Sequence, residues 1–128
     1  MRLNWNPPDF ESASARIAYT ADYALAIHQG ATYRDTRRPN LPPSPWVLTT
    51  IDEADCPALF ISNWDGDVKR TFESFIDHLS AKMQTNLASS RWYHPRDTTR
   101  KSGEFVPAGL RDRIDLGNLY DSLEITYG

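Results

Sequence analysis

The sequence predicts an α+β fold: a small, mostly antiparallel sheet packed on one long amphipathic helix, with long loops or arms. Three observations predict it. Apolar residues recur at a 3.6-residue period across the middle of the chain. Short runs near both ends alternate between apolar and other residues. Pro- and Arg-rich stretches without any period separate these segments. At 128 residues the chain reads as a single structural domain spanning 1–128, able to bury about 65–70% of its unfolded surface in one core. Four Trp, five Phe and six Tyr supply bulky material for that core.

Taken in order, residues 1–15, with "NPPDF" and "ESASA", read as an irregular lead-in of at most one helical turn. In "ARIAYTADYALAIHQG", Ile17 and Tyr19 alternate as in a strand. Tyr23, Leu25 and Ile27 alternate again, with Ala24, Ala26 and His28 on the other face. A helix over 21–29 stays open, because Tyr23 and Ile27 also stand four apart; Gly30 ends the element under either reading.

The stretch from about 31 to 45 is a long loop. Four prolines between Pro39 and Pro45 forbid regular ladder bonding and stiffen the chain toward polyproline II. "WVLTTI" is a strand or the first turn of a helix. Ser44 as cap and Pro45 at the first helical position favour the helix. "PALFIS", between Pro57 and Asn63, is a short apolar strand candidate.

The clearest element spans about 67–88. Val68, Phe72, Ile76, Leu79, Met83 and Leu87 make one stripe with Phe75 beside it, while Lys69, Arg70, Glu73, Asp77 and Ser80 occupy the opposite face. Asp65 and Asp67 complement the dipole at its start. Residues 89–113 carry no period and read as a second long loop or arm. Asp115 then caps a short turn, Gly117 frees the backbone, and Leu123, Ile125 and Tyr127 alternate as a closing strand.

Composition excludes several function classes. The lone Cys56 forms no internal disulfide and cannot build a cysteine zinc site, which suits a reducing compartment. The amino-terminal stretch lacks the apolar core of a signal peptide. No apolar run approaches the ~20 residues that cross a bilayer. A formal charge of −3 gives no overall attraction to nucleic acid. Charge is nonetheless uneven. Arg34, Arg37 and Arg38 crowd one loop, Arg91, Arg96, Arg100, Lys101, Arg111 and Arg113 the other, and acids concentrate over 52–77. Solvated mixed-charge loops explain this plainly; the alternative is a pair of basic loops facing an acidic partner or a neighbouring subunit.

Motifs for catalysis are weak. His28, His78 and His94 form no metal-ligand spacing, and nucleotide-binding and nucleophile-elbow signatures are absent. "DGD" at 65–67 lacks the later ligands of a calcium loop. His94 with Arg91, Arg96 and Tyr93, joined by His28, would suit a small RNA-cleaving or toxin-like enzyme. The aromatic-basic "SRWYHPR" would equally anchor a protein interface, where Trp, Tyr and Arg are enriched. Of the other tryptophans, Trp5, Trp46 and Trp64, core packing accounts for most.

Two stretches resemble neck and tail-completion proteins of long-tailed bacteriophages. "YTADYALAIHQGATYRDTRRPNLPPSPWVLTTI" is similar to a Y-A strand, an Arg-rich loop and an R-P-W-L-like segment, through Tyr23, Ala24, Ile27, His28, Gly30, Pro45, Trp46 and Leu48. "DLGNLYDSLEI" is similar to the family's D-T-G-x-L-x-x-S turn, through Asp115, Gly117, Leu119, Ser122 and Leu123, with Leu116 where a small polar residue is usual. The order is permuted: in that family the long helix and the turn precede the Y-A strand.

The resemblance implies an α+β structural protein with no catalytic site, metal or cofactor, assembling into a hexameric ring. That ring would join head to tail or terminate the tail tube. Implied partners are copies of itself, tail-tube and neck or connector proteins, and genome DNA passing through the channel without sequence-specific binding; no membrane is involved. The protein would be made in the host cytoplasm and end in the virion neck or tail. Interface residues in this reading are Arg34, Arg37, Arg38, Trp46, Arg91, Trp92, Tyr93, Arg96, Arg100 and Lys101. Tyr23, Gly30, Asp115, Gly117, Leu119 and Ser122 would be structural. A generic protein-binding adaptor is the remaining alternative.

Overall fold

The structure, a computed structural model, describes residues 13–31, 41–100, 102–113 and 118–127. Strand β1 (Ala15–Tyr19) pairs antiparallel with β6 (Leu123–Tyr127), so Ala15 stands opposite Tyr127, Ile17 opposite Ile125 and Tyr19 opposite Leu123. Alternation puts Ile17 and Ile125 on the half-buried face and Arg16 and Glu124 outside. Both strands are those the alternating pattern predicts.

Between Tyr23 and Gly30 the open choice resolves as a helix, α1 (Ala24–Gln29), not a strand. Its last turn ends at Gly30, whose φ of 81° suits a residue without a Cβ. Beyond it Ala31 and Leu41 form an antiparallel bridge, N–H to carbonyl in both directions at 2.9 and 2.7 Å. The bridge closes the base of the Pro- and Arg-rich segment; residues 32–40 of that loop lie outside the described residues.

Helix α2 (Trp46–Glu53) follows directly, with Pro45 at its boundary. The Ser44 hydroxyl does not cap it as the sequence suggests; the fully buried Ser44 Oγ instead accepts from Arg113 Nε at 2.9 Å. "PALFIS" is also not a strand but helix α3 (Cys56–Ser62). Asp55, in the left-handed region at φ 49°, accepts from the Ala58 amide, and Pro57 sits in the first turn, where its missing N–H costs nothing. An apolar run this short carries no decisive period, so these start signals decide.

Helix α4 (Val68–Ala88) is the spine, 21 residues and about 30 Å long. Asp67 caps it, accepting from Arg70 N at 2.8 Å. Ile76, Leu79, Met83 and Leu87 are buried along the predicted stripe, while Val68, Phe72 and Phe75 are half-buried. Ser80 departs from its expected place on the polar face. It is 4% exposed, its hydroxyl returned to the Asp77 carbonyl at 3.0 Å, which lets a polar residue sit inside. Ala24, Trp46, Leu79, Met83, Leu87, Trp92 and Leu119 form the core.

The 89–113 arm is not irregular. β2 (Trp92–His94) pairs with β5 (Gly109–Arg111), and inside it β3 (Thr98–Thr99) pairs with β4 (Phe105–Val106), all antiparallel. Strands of two or three residues are too short to leave a period in the sequence. The terminal turn, α5 (Asn118–Asp121), buries Leu119, and Ser122 Oγ donates to its carbonyl at 2.7 Å. Thr20 N and Oγ1 then both donate to Ser122 O at 3.1 Å, fastening the turn to the end of β1. Asp115 and Gly117, the other turn residues, lie outside the described residues.

Candidate functional site

Hydropathy is inverted across the β2–β5 ladder, and that inversion builds the site. Trp92 and the guanidinium-bearing Arg111 face each other on the inner side, 6% and 7% exposed. Tyr93 and Leu110 face each other outside, 54% and 67% exposed. Arg111 is tolerated inside because it satisfies the arm's own backbone. Nη1 donates to Thr98 Oγ1 at 2.6 Å, and Nη2 to the carbonyls of Arg96, Pro107 and Val106 at 2.8, 2.8 and 3.0 Å. One side chain thereby holds both ends of the β3–β4 hairpin.

Two further arginines converge beside it. Arg100 Nη2 pairs with Asp112 Oδ1 at 2.8 Å, its side chain only 13% exposed. Arg113 donates to Ser44 Oγ at 2.9 Å and to the Tyr93 carbonyl at 2.7 Å, and its backbone N–H caps the last turn of α4 through Leu87 O at 3.0 Å. Among the described residues no carboxylate lies within ion-pair distance of Arg113. Burial, and then the charges of Arg111 and Arg100, push its guanidinium down to about 10.

These residues line a cleft of about 420 Å³ with Asp112, His94, Thr98, Thr99 and Asn118, walled on one side by Tyr23, Ile27 and Leu41. Its lining carries three guanidinium groups and one carboxylate. Arg100 is also 3.9 Å from Glu104 and Arg111 is engaged by carbonyls, so Arg113 is the group best placed to meet an oxyanion.

The residues singled out from sequence scatter relative to this cleft. Arg100 lines it. Trp46 and Trp92, 1% and 6% exposed, belong to the core and present no ring to a partner. Trp46 instead meets Tyr19 and His28 edge-to-face at 5.1 Å each, and Trp92 Nε1 donates to Asn86 O at 2.8 Å. Tyr93 is exposed at the arm's outer face. Arg91 leans over the Trp92 ring at 5.3 Å and pairs with Glu53 at 2.9 Å. Exposed Arg96 contributes its backbone, which holds His94 Nδ1 and Arg111. Tyr23 is at the start of α1, half-turned into the cleft. Arg34, Arg37, Arg38 and Lys101 lie outside the described residues.

In the sequence Arg111 and Arg113 stand out only as members of a basic stretch, not as a site. The alternation Arg111-Asp112-Arg113 after Leu110 was the available signal, since a strand puts residues two apart on one face.

The histidines do not assemble. His94 lines the cleft, its pKa lowered by burial and by Arg111 and Arg113, whereas His28 is not among the lining residues. His28 Nε2 is buried without a hydrogen-bond partner among the described residues, and burial lowers its pKa too. His78 is exposed on α4, its Nδ1 2.8 Å from Ser74 O.

Among the described residues no three His, Cys, Asp or Glu side chains are grouped to hold a metal ion, and no helix is long and apolar enough to cross a membrane. No family model, curated protein or solved structure matches this chain.

Proposed function

We propose that this protein is a structural subunit of the head–tail junction of a long-tailed bacteriophage, assembling with its own copies into a ring at the neck or the top of the tail. The observation that carries the self-assembly is the β1–β6 sheet. It has only two strands, and among the described residues neither outer edge is paired. A two-stranded sheet is marginal by itself, and an open edge is a template for a strand from another chain. The exposed Tyr93–Leu110 pair adds an apolar contact surface of the kind that interfaces use.

The phage assignment draws on the resemblance. In support, Leu119 of the terminal turn is buried and Ser122 leads directly into β6. The antiparallel pairing of Ala15 with Tyr127 is compatible with the permuted order of the motifs. The Tyr23–Gly30 segment differs from the family pattern in being helical.

Mass photometry and negative-stain imaging, alone and with a tail-tube protein, test the reading. Rings or capped tubes are the expected result. A protein that stays monomeric at every concentration and never joins a tube overturns it.

A further inference from the structure

Among the described residues the lining of the arginine cleft carries more guanidinium than carboxylate groups. Arg113, partly buried, is held among these residues by neutral oxygens of Ser44 and Tyr93, and an anion would offset more of its desolvation cost than these do. The cleft's volume of about 420 Å³ far exceeds a single carboxylate, and Tyr23, Ile27 and Leu41 give it an apolar wall. Its chemistry therefore suits an acidic group flanked by a large apolar side chain. Phe105 and Leu110, both more than 60% exposed, extend the apolar surface of the same arm.

The chain itself carries such a group at the far end of its spine. Between α3 and α4, residues 61–67 hold Asp65 and Asp67 with no Lys or Arg, and Ile61 and Trp64 there are 71% and 54% exposed. Asp65 pairs with Arg70 at 3.0 Å and accepts from Asp67 N at 2.9 Å and Thr71 Oγ1 at 3.2 Å, and Asp67 caps α4; both carboxylates keep exposed lone pairs at the surface. This knob precedes the first turn of α4, whereas Arg113 is bonded to Leu87 in the last, so the two surfaces lie about a helix length, ~30 Å, apart.

We propose that copies of this chain join head to tail, the Ile61–Asp67 knob of one copy docking in the arginine cleft of the next. Its carboxylates supply a counter-charge to Arg113, which meets none among the described residues, and Trp64 lies against the Tyr23–Ile27–Leu41 wall. Two different surfaces at opposite ends make the contact heterologous, so repetition yields a closed ring where the rotation closes and a filament where it does not. The inference rests on the self-assembly reading and names the surfaces that carry it.

The test uses two full-length variants. Asp65→Asn with Asp67→Asn removes both charges while keeping side chains able to cap α4. Arg113→Gln removes the cleft cation that meets no carboxylate among the described residues. Each should raise the concentration for half-association at least about tenfold, and the wild-type association should weaken with salt. Mixed together, the variants should form heterodimers, because one retains an intact cleft and the other an intact knob.

Circular dichroism checks folding; if Arg113→Gln misfolds, the Asn pair and Trp64→Ala carry the test. Wild-type association that the Asn pair and Trp64→Ala leave unchanged overturns the docking while the ring reading stands. A wild-type protein that never associates overturns both.

Discussion

Gln84, near the C-terminal end of the spine helix, accepts the phenolic hydrogen of Tyr19 through Oε1 at 2.8 Å, although 65 positions separate them. Its Nε2 donates at 2.8 Å to the Tyr120 carbonyl. One side-chain amide thus ties the first strand and the terminal turn to α4. Gln84→Leu strands both partners and should cost about 1–3 kcal/mol, lowering Tm by several degrees in a calorimetric scan. Gln84→Glu, which keeps only the acceptor, should fall between.

Burial pushes the Tyr19 phenol up to about 12. The folded state therefore holds this proton more tightly than the unfolded chain, whose phenols titrate near 10. The corresponding stability is fully present below pH ~10 and is lost as pH rises toward about 12. Chemical denaturation from pH 9 to 12 should show a decline that Tyr19→Phe makes shallower. Tyr127, also raised to about 12 by burial and by Asp77, should supply part of what remains.

Arg111 organises the arm through four donor contacts, three of them to backbone carbonyls. Arg111→Lys keeps the charge but loses the planar fork, so it is not conservative here. Hydrogen exchange at 92–111 should accelerate markedly, while amides in the middle of α4 stay protected; equal loss of protection in both would contradict the assignment. The expected cost is about 2–4 kcal/mol.

At Gly30, an added Cβ would come within 2.7 Å of the Leu41 carbonyl oxygen and 3.0 Å of Pro43 N, at a φ of 81°. Gly30→Ala should therefore destabilise by more than about 1 kcal/mol and loosen the Ala31–Leu41 bridge. A denaturation midpoint equal to wild type would mean the backbone there relaxes freely.

The amino-acid order by itself determined the spine helix and the two outer strands. Ile76, Leu79, Met83 and Leu87 keep one period across several turns, and Ile17, Tyr19, Leu123 and Ile125 alternate cleanly, so local pattern and burial agree. Asp67 likewise stands where a helix needs a cap.

Elsewhere the tertiary structure decided. Residues 24–29 and 56–62 are too short for periodicity to separate helix from strand, and packing and start signals settled both as helices. The arm was illegible for a stronger reason. Its ladder turns Arg111 inward and Leu110 outward, against the hydropathy rule, because the guanidinium finds carbonyl partners that exist only once the hairpin has formed. The cleft shares that dependence. Tyr23, Leu41, Arg100 and Arg113 are distant in sequence and meet only because α1, the bridge at Leu41 and the arm converge at the end of α4.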